Sequence, residues 1–486
     1  MQLTIERPAE SINNFPFMLT QTASWAETNG SRVSLADTLR KRRQKLFKMI
    51  NFPVVLWSGV RSSRNFPGNQ LPFRASSHFL YFAGIPLENV AIRMEPPGTL
   101  ELYMDDPSLD DELWHGKKLL REEVAELIGA NIAFPMSELW SRAYSSATIP
   151  VQDVYLQQQQ SNMLHRWLYS ASSLSWIDWE LAYAIVQLRL CHDAGAIAEL
   201  RKAAACTVQA HRAGMAATRH VRFEAEVRAA MENVIFAQQM NCAYNSIVTV
   251  HGEVLHNEQY HRALNHGDLL LADVGAETAL GWASDVTRTW PVSGKFSPTQ
   301  RDIYEVVRSA HDACIAKIAP GVEYKEIHLL GAATLTEGLV NLGILKGDVE
   351  ELVENDVHAA FFPHGIGHLI GLDVHDMEDL GDLSGYELGR TRSDRFGLKF
   401  LRLDRPLQAG MLVSIEPGFY QVPSILNYPD RRESFQEFVD WDRLAQFSDV
   451  RGIRIENDVL VTDSGCEVIT GELPTHPDAI EHLVNS

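Results

Sequence analysis

HGDLLLADVGA at 266–276 and AGMLVSIEPGF at 409–419 share one plan: a glycine, an apolar run, and an acid six positions after the glycine. The acid is Asp273 in the first stretch and Glu416 in the second. Each is followed by another acid in a further strand-like run, Asp285 in SDVTRTW and Glu456 in GIRIENDVLVT, 12 and 40 residues on. Short apolar runs bounded by glycine and proline read as buried strands. The echo predicts two half-domains related by a pseudo-twofold axis, with an insertion in the second half, and it brings four carboxylates together. A lone strand-end acid is ordinarily exposed or paired with an arginine. Four at matching positions need a stronger positive partner, because an uncompensated buried carboxylate is costly.

Between the two stretches lies FFPHGIGHLIGLDVHD at 361–376, with His364, His368 and His375. On a helix, His364 and His368 would form a zinc pair of the H-E-x-x-H kind. Gly365 and Gly367 separate them, each costing a helix roughly 1 kcal/mol relative to Ala, and the general-base Glu is missing. The expectation is an irregular turn that presents histidines to a cleft.

Taken in order, LLLADVGAE, SDVTRTWPVSGKFS, FPHGIGHLIGLDVHD, VSIEPGFY and GIRIENDVLV resemble the successive motifs of the pita-bread metallopeptidases, within them the aminopeptidase P and prolidase group. PFRASSHFLYFAGIP and ELWHGKK resemble, more weakly, the N-terminal domain of aminopeptidase P. The resemblance implies an α/β (α+β) chain: a smaller α/β N-terminal domain over 1–190, then a pita-bread catalytic domain over 191–486. It implies Asp273, Asp285, His368, Glu416 and Glu456 as ligands of two divalent ions, with Asp285 and Glu456 bridging. Oxygen-rich ligation with one imidazole suits Mn²⁺ above all, with Co²⁺ or Zn²⁺ able to occupy the same site.

By the same resemblance, His256 in EVLHNEQ, His364 and His375 bind substrate and assist catalysis. Arg454 orients Glu456 or a neighbouring acid, an ordinary strand salt bridge being its alternative. The implied reaction is hydrolysis of the bond between an N-terminal residue and a following proline, by a metal-bridging hydroxide whose proton Glu416 accepts and relays. Tyr244 and the FFP segment are candidates for the wall of the proline pocket. A dipeptidase restricted to Xaa-Pro is the alternative. A creatinase-like enzyme or a non-enzymatic binding module on the same fold ranks lower, since all five ligands are present. Two departures stand out: Gly367 where serine is commoner, and a long insertion at 423–452, which reads as a flap or a subunit contact.

The rest of the chain narrows the class. Its 486 residues exceed one core, and 45% hydrophobic residues allow packing without staples. A formal charge of −20 argues against nucleic acid as a partner. Peptides with proline in second position are the expected partners, with assembly as a homodimer or homotetramer. Five scattered cysteines, no basic-then-apolar start and no membrane-length apolar run give a cytoplasmic expectation. The first forty residues read as a polar arm. FPVVLWSG, HFLYFAGIP, VAIRMEPPG and TLELYMDD read as strands, Lys117–Ile128 and Ser161–Leu168 as helices, and Asp178–Met240 as two or three helices. Trp114 and His115 are assigned to the cleft entrance, with core packing the more ordinary role for the tryptophan.

Overall fold

The computed structural model describes residues 26–28, 31–174 and 176–486. Most of the expected N-terminal arm, residues 1–25, lies outside the described residues. Its last part belongs to helix α1 (Leu35–Leu46), where Ser34 accepts from the Asp37 N–H and Leu35, Leu39 and Leu46 are buried. Basic residues crowd the same segment, and they mask its helical period in the sequence.

Strands β1 (Val54–Trp57), β2 (Ala91–Glu95), β3 (Thr99–Tyr103) and β4 (Ile132–Phe134) form one sheet in the order β1-β2-β3-β4. The first two pairings are antiparallel and the last is parallel. Three of the four expected strand segments hold. HFLYFAGIP instead forms α2 (Ser77–Ala83), buried on every side and ended by Gly84 at φ 74°. All-round burial removes the alternation that would separate a short helix from a strand. Helix α3 (Arg121–Ile128) begins later than expected, and α4 (Val154–Leu164) earlier, capped by Asp153. Trp114 is 77% exposed on a short helix with no buried residue, which corrects the core-packing role.

Three helices, α5 (Trp176–Arg189), α6 (Ala194–Ala217) and α7 (Glu224–Ala237), lead into the C-terminal part. There β5 (Ile247–Thr249), β6 (Leu269–Asp273) and β7 (Thr287–Pro291) form an antiparallel sheet ordered β5-β6-β7. Beyond it, β8 (Leu412–Ile415) pairs with β11 (Asn457–Val461), while β9 (Gly418–Tyr420) pairs with β10 (Gly452–Arg454). The two halves repeat one plan, antiparallel strands with an acid at the end of each, in registers that differ by two positions. Asp273, the last residue of β6, faces Thr287, two positions after Asp285. Ile415 faces Asn457, so Glu416 leaves one strand where Glu456 enters the other. Helices α8 (Pro298–Lys317) and α9 (Tyr324–Asn341) pack against each other, and α8 also covers the second half.

The 423–452 insertion is docked rather than free. Phe435, Val439, Phe447 and Val450 are buried, the Lys346 N–H donates to Phe438 O and the Asp440 N–H to Ile344 O. Residues 427–430 and 432–434 of the same insertion stay exposed. No helix of the described residues is long and apolar enough to cross a membrane.

Candidate metal centre

Strand ends carry the site. Asp273 closes β6, Asp285 sits just before β7, Glu416 lies between β8 and β9, and Glu456 between β10 and β11. His368 comes from a loop without helix, as Gly365 and Gly367 predict, and its N–H donates to Ser414 Oγ at 3.1 Å. Its Nε2 lies 3.3 Å from Asp285 and 3.6 Å from Glu416. Its Nδ1 sits 3.0 Å from Leu369 O, which turns Nε2 toward the acids. Three groups of ligand-capable atoms result: Asp273–Asp285–Glu456, His368–Glu416–Glu456 and Asp285–His368–His375. They share Asp285, His368 and Glu456, so they abut.

This crowding raises the acids. Burial pushes Asp273 up to about 6, with Arg454 opposing and Asp285 adding to the rise. Burial likewise takes Glu416 to about 7 and Glu456 well above the carboxylate range. Asp285 goes down: burial opposes, but the His368 hydrogen bond and charge prevail. Burial pulls His368 down too, yet Asp285 and Glu416 hold it near 9. Such a cluster lacks positive charge, and hard oxygen donors with one imidazole fit divalent cations.

Arg454 supplies part of that charge. It is 4% exposed; its Nε donates to Thr287 Oγ1 at 2.9 Å, one Nη to Tyr420 Oη at 3.0 Å, and the other to Asp273. It therefore orients Asp273 directly and reaches Glu456 through Thr287, whose hydroxyl donates to Glu456 at 2.7 Å. His364 stands 2.8 Å from the Tyr420 hydroxyl and 3.8 Å from Glu416. His375 stacks on His368 with ring centroids 3.9 Å apart and pairs with Glu378 at 3.0 Å. His256 is exposed in a turn, and burial with the charges of Arg454 and Arg402 pulls its imidazole down.

Other contacts escape motif reading. The Tyr244 hydroxyl touches both Asp273 and Asp285, which puts it among the acids rather than in a pocket wall. Asp458 accepts from Ser284 Oγ at 2.7 Å and from the Asp285 N–H, steadying that acid from behind. The one available signal was the second acid in GIRIENDVLV.

Gly367 has a steric reason. A Cβ there would overlap Ser414 O and the Tyr324 hydroxyl, which are joined to each other at 2.7 Å. Gly367→Ser is expected to destabilise the loop by about 1–3 kcal/mol, lowering both melting temperature and metal occupancy. Wild-type values for both would show that the loop has room after all.

Residues 198–463 match metallopeptidase family M24, and residues 39–150 match the aminopeptidase P N-terminal domain. The chain is 30% identical over 468 residues to a Xaa-Pro aminopeptidase of Haemophilus influenzae, covering 92% of this chain and 97% of that one. Among solved structures, aminopeptidase P from Escherichia coli with the inhibitor Pro-Leu superposes with a TM-score of 0.77 at 28% identity, covering 94% and 99% of the two chains. The aminopeptidase PepP of Pseudomonas aeruginosa gives 0.76 at 27% identity, covering 93% and 98%.

Proposed function

The chain belongs to metallopeptidase family M24, and from that premise we propose that it is a Xaa-Pro aminopeptidase working through two divalent ions held by Asp273, Asp285, His368, Glu416 and Glu456. The observation that carries this reading is the abutment of the ligand groups, which share Asp285, His368 and Glu456. Bound there, the ions supply Lewis acidity and an activated water; Mn²⁺ is the proposed occupant.

The chain's own residues supply the rest. Glu416, which faces His368 at 3.6 Å and His364 at 3.8 Å, is placed to take a proton from the nucleophile and pass it to the leaving amine. His364 and His375 flank the acids on the substrate side and bind the scissile carbonyl, with His256 closing from the rim. Arg454 keeps Asp273 oriented.

The longer-substrate reading is supported by the matched Xaa-Pro aminopeptidase and aminopeptidase P structures. A cavity of about 570 Å³ between the N-terminal part and the 373–379 loop reaches His375, but none of the five ligands lines it. The decisive assay compares a Xaa-Pro dipeptide with a Xaa-Pro-Xaa tripeptide in Mn²⁺. Cleavage of the tripeptide at the first bond is expected. Hydrolysis of the dipeptide alone would make the protein a prolidase. The same proposal divides the chain at 190/191, makes it a homodimer or homotetramer, and places it in the cytoplasm, in keeping with five free cysteines.

A further inference from the structure

The loop that carries His375 is anchored from both domains. Arg402 of its own domain holds Glu378, the partner of His375, at 2.6 Å, and further ties come from the N-terminal domain. Arg189, the last residue of α5, has its side chain 2% exposed and donates to Asp376 at 2.6 Å and Asp373 at 3.3 Å. These acids bracket His375. Asp373 also accepts from Ser77 Oγ at 2.6 Å, and Ser77 opens α2. His78, the next residue, places Nδ1 3.1 Å from an Arg189 Nη and Nε2 3.0 Å from Asp379. A guanidinium only donates, so His78 Nδ1 accepts and its proton sits on Nε2, facing Asp379. The result is a chain from Arg189 through His78 to Asp379, with the ring orientation and tautomer fixed at both ends. Gly371 lets the loop fold this tightly, since a Cβ there would meet the Asp376 carboxylate at 2.5 Å.

We propose that His78 and Arg189 are positioning residues that hold the 369–380 loop so that His375 keeps its place over His368. The N-terminal domain is then part of the catalytic apparatus. This rests on the reading of His375 as a substrate-binding group.

The test is a mutant cycle on the Mn²⁺-loaded full chain, read as kcat and KM on a Xaa-Pro-Xaa peptide. His78→Ala is expected to lower kcat roughly 10–100-fold, the usual cost of losing a partner that orients a site residue, with two ions still bound. His78→Gln, which also donates and accepts, restores most of that loss. On a His375→Ala background, His78→Ala should cost almost nothing further, because the two act as one unit. If His78→Ala costs the same factor on both backgrounds, the inference is overturned while His375 keeps its role. If His375→Ala alone costs nothing, the substrate-binding reading falls, and the inference with it. Asp379→Ala cuts the same chain at its more exposed end and gives the same comparison should His78→Ala not fold.

Discussion

Glu416→Gln is expected to lower kcat by about 10³-fold, within the 10²–10⁴ range of general acid–base catalysis, while the chain stays folded. Glutamine keeps the shape, so Pro417 and β9 beyond it need not move. What goes is the charge facing His368 at 3.6 Å and the carboxylate that accepts the proton. An amide neither accepts a proton usefully nor balances a cation, so occupancy should drop from two ions per chain toward one. The remaining ion would sit with Asp273, Asp285 and Glu456, which form a group without Glu416. Metal analysis alongside steady-state kinetics reads both effects. A variant within tenfold of wild type with two ions bound would remove Glu416 from both roles.

The acids were legible because their strands are. A buried strand with a carboxylate at its end violates the ordinary pattern, and the same violation at Asp273 and Glu416 exposed the repeat. Pairing then explains why the second acids follow: Asp273 faces Thr287 and Ile415 faces Asn457, so each antiparallel strand pair delivers two carboxylates to one end. The glycines around His368 were equally informative, since they exclude a helix and leave a loop.

Helix α2 hid for the opposite reason. All seven of its residues are buried, so no polar face marked its period. Tyr244 hid because its role depends on its reaching two acids 29 and 41 residues away, which no local pattern records. The anchoring of His375 is harder still to read. His78, Arg189 and Asp379 are separated by more than a hundred residues along the chain and converge only once the N-terminal sheet docks. Motifs report ligands well because a ligand's neighbours in sequence constrain its backbone. They report second partners poorly, because those come from wherever the fold supplies them.

Chelation should expose an acid cluster whose contribution to stability falls as pH rises and is restored by Mn²⁺. In the metal-free cluster Asp273 titrates near 6 and Glu416 near 7, whereas in the unfolded chain both titrate at about 4. Between those values the folded chain keeps protons that the unfolded chain has released, so its stability falls as pH rises from about 4.5 to about 7. His368, held near 9, adds a loss of the same sign from about 6.5 upward. Asp285, shifted down, has the opposite sign, but its window lies below about 4. Asp458, pushed up to about 8, adds to the loss, whereas buried His211, His328, His358 and His364, held near 3 or 4, gain stability as pH rises to about 6.5. The cluster's own share is therefore read as the difference between the chelated and the Mn²⁺-loaded protein. Mn²⁺ replaces the lost protons as counter-charge, so adding it should raise the melting temperature by several degrees more at pH 7.5 than at pH 5.5. Activity should be absent in chelator and return with the ion. If Mn²⁺ raised the melting temperature equally at both pH values, the four carboxylates would be less crowded than their burial implies, and the case for a two-ion centre would lose its electrostatic support.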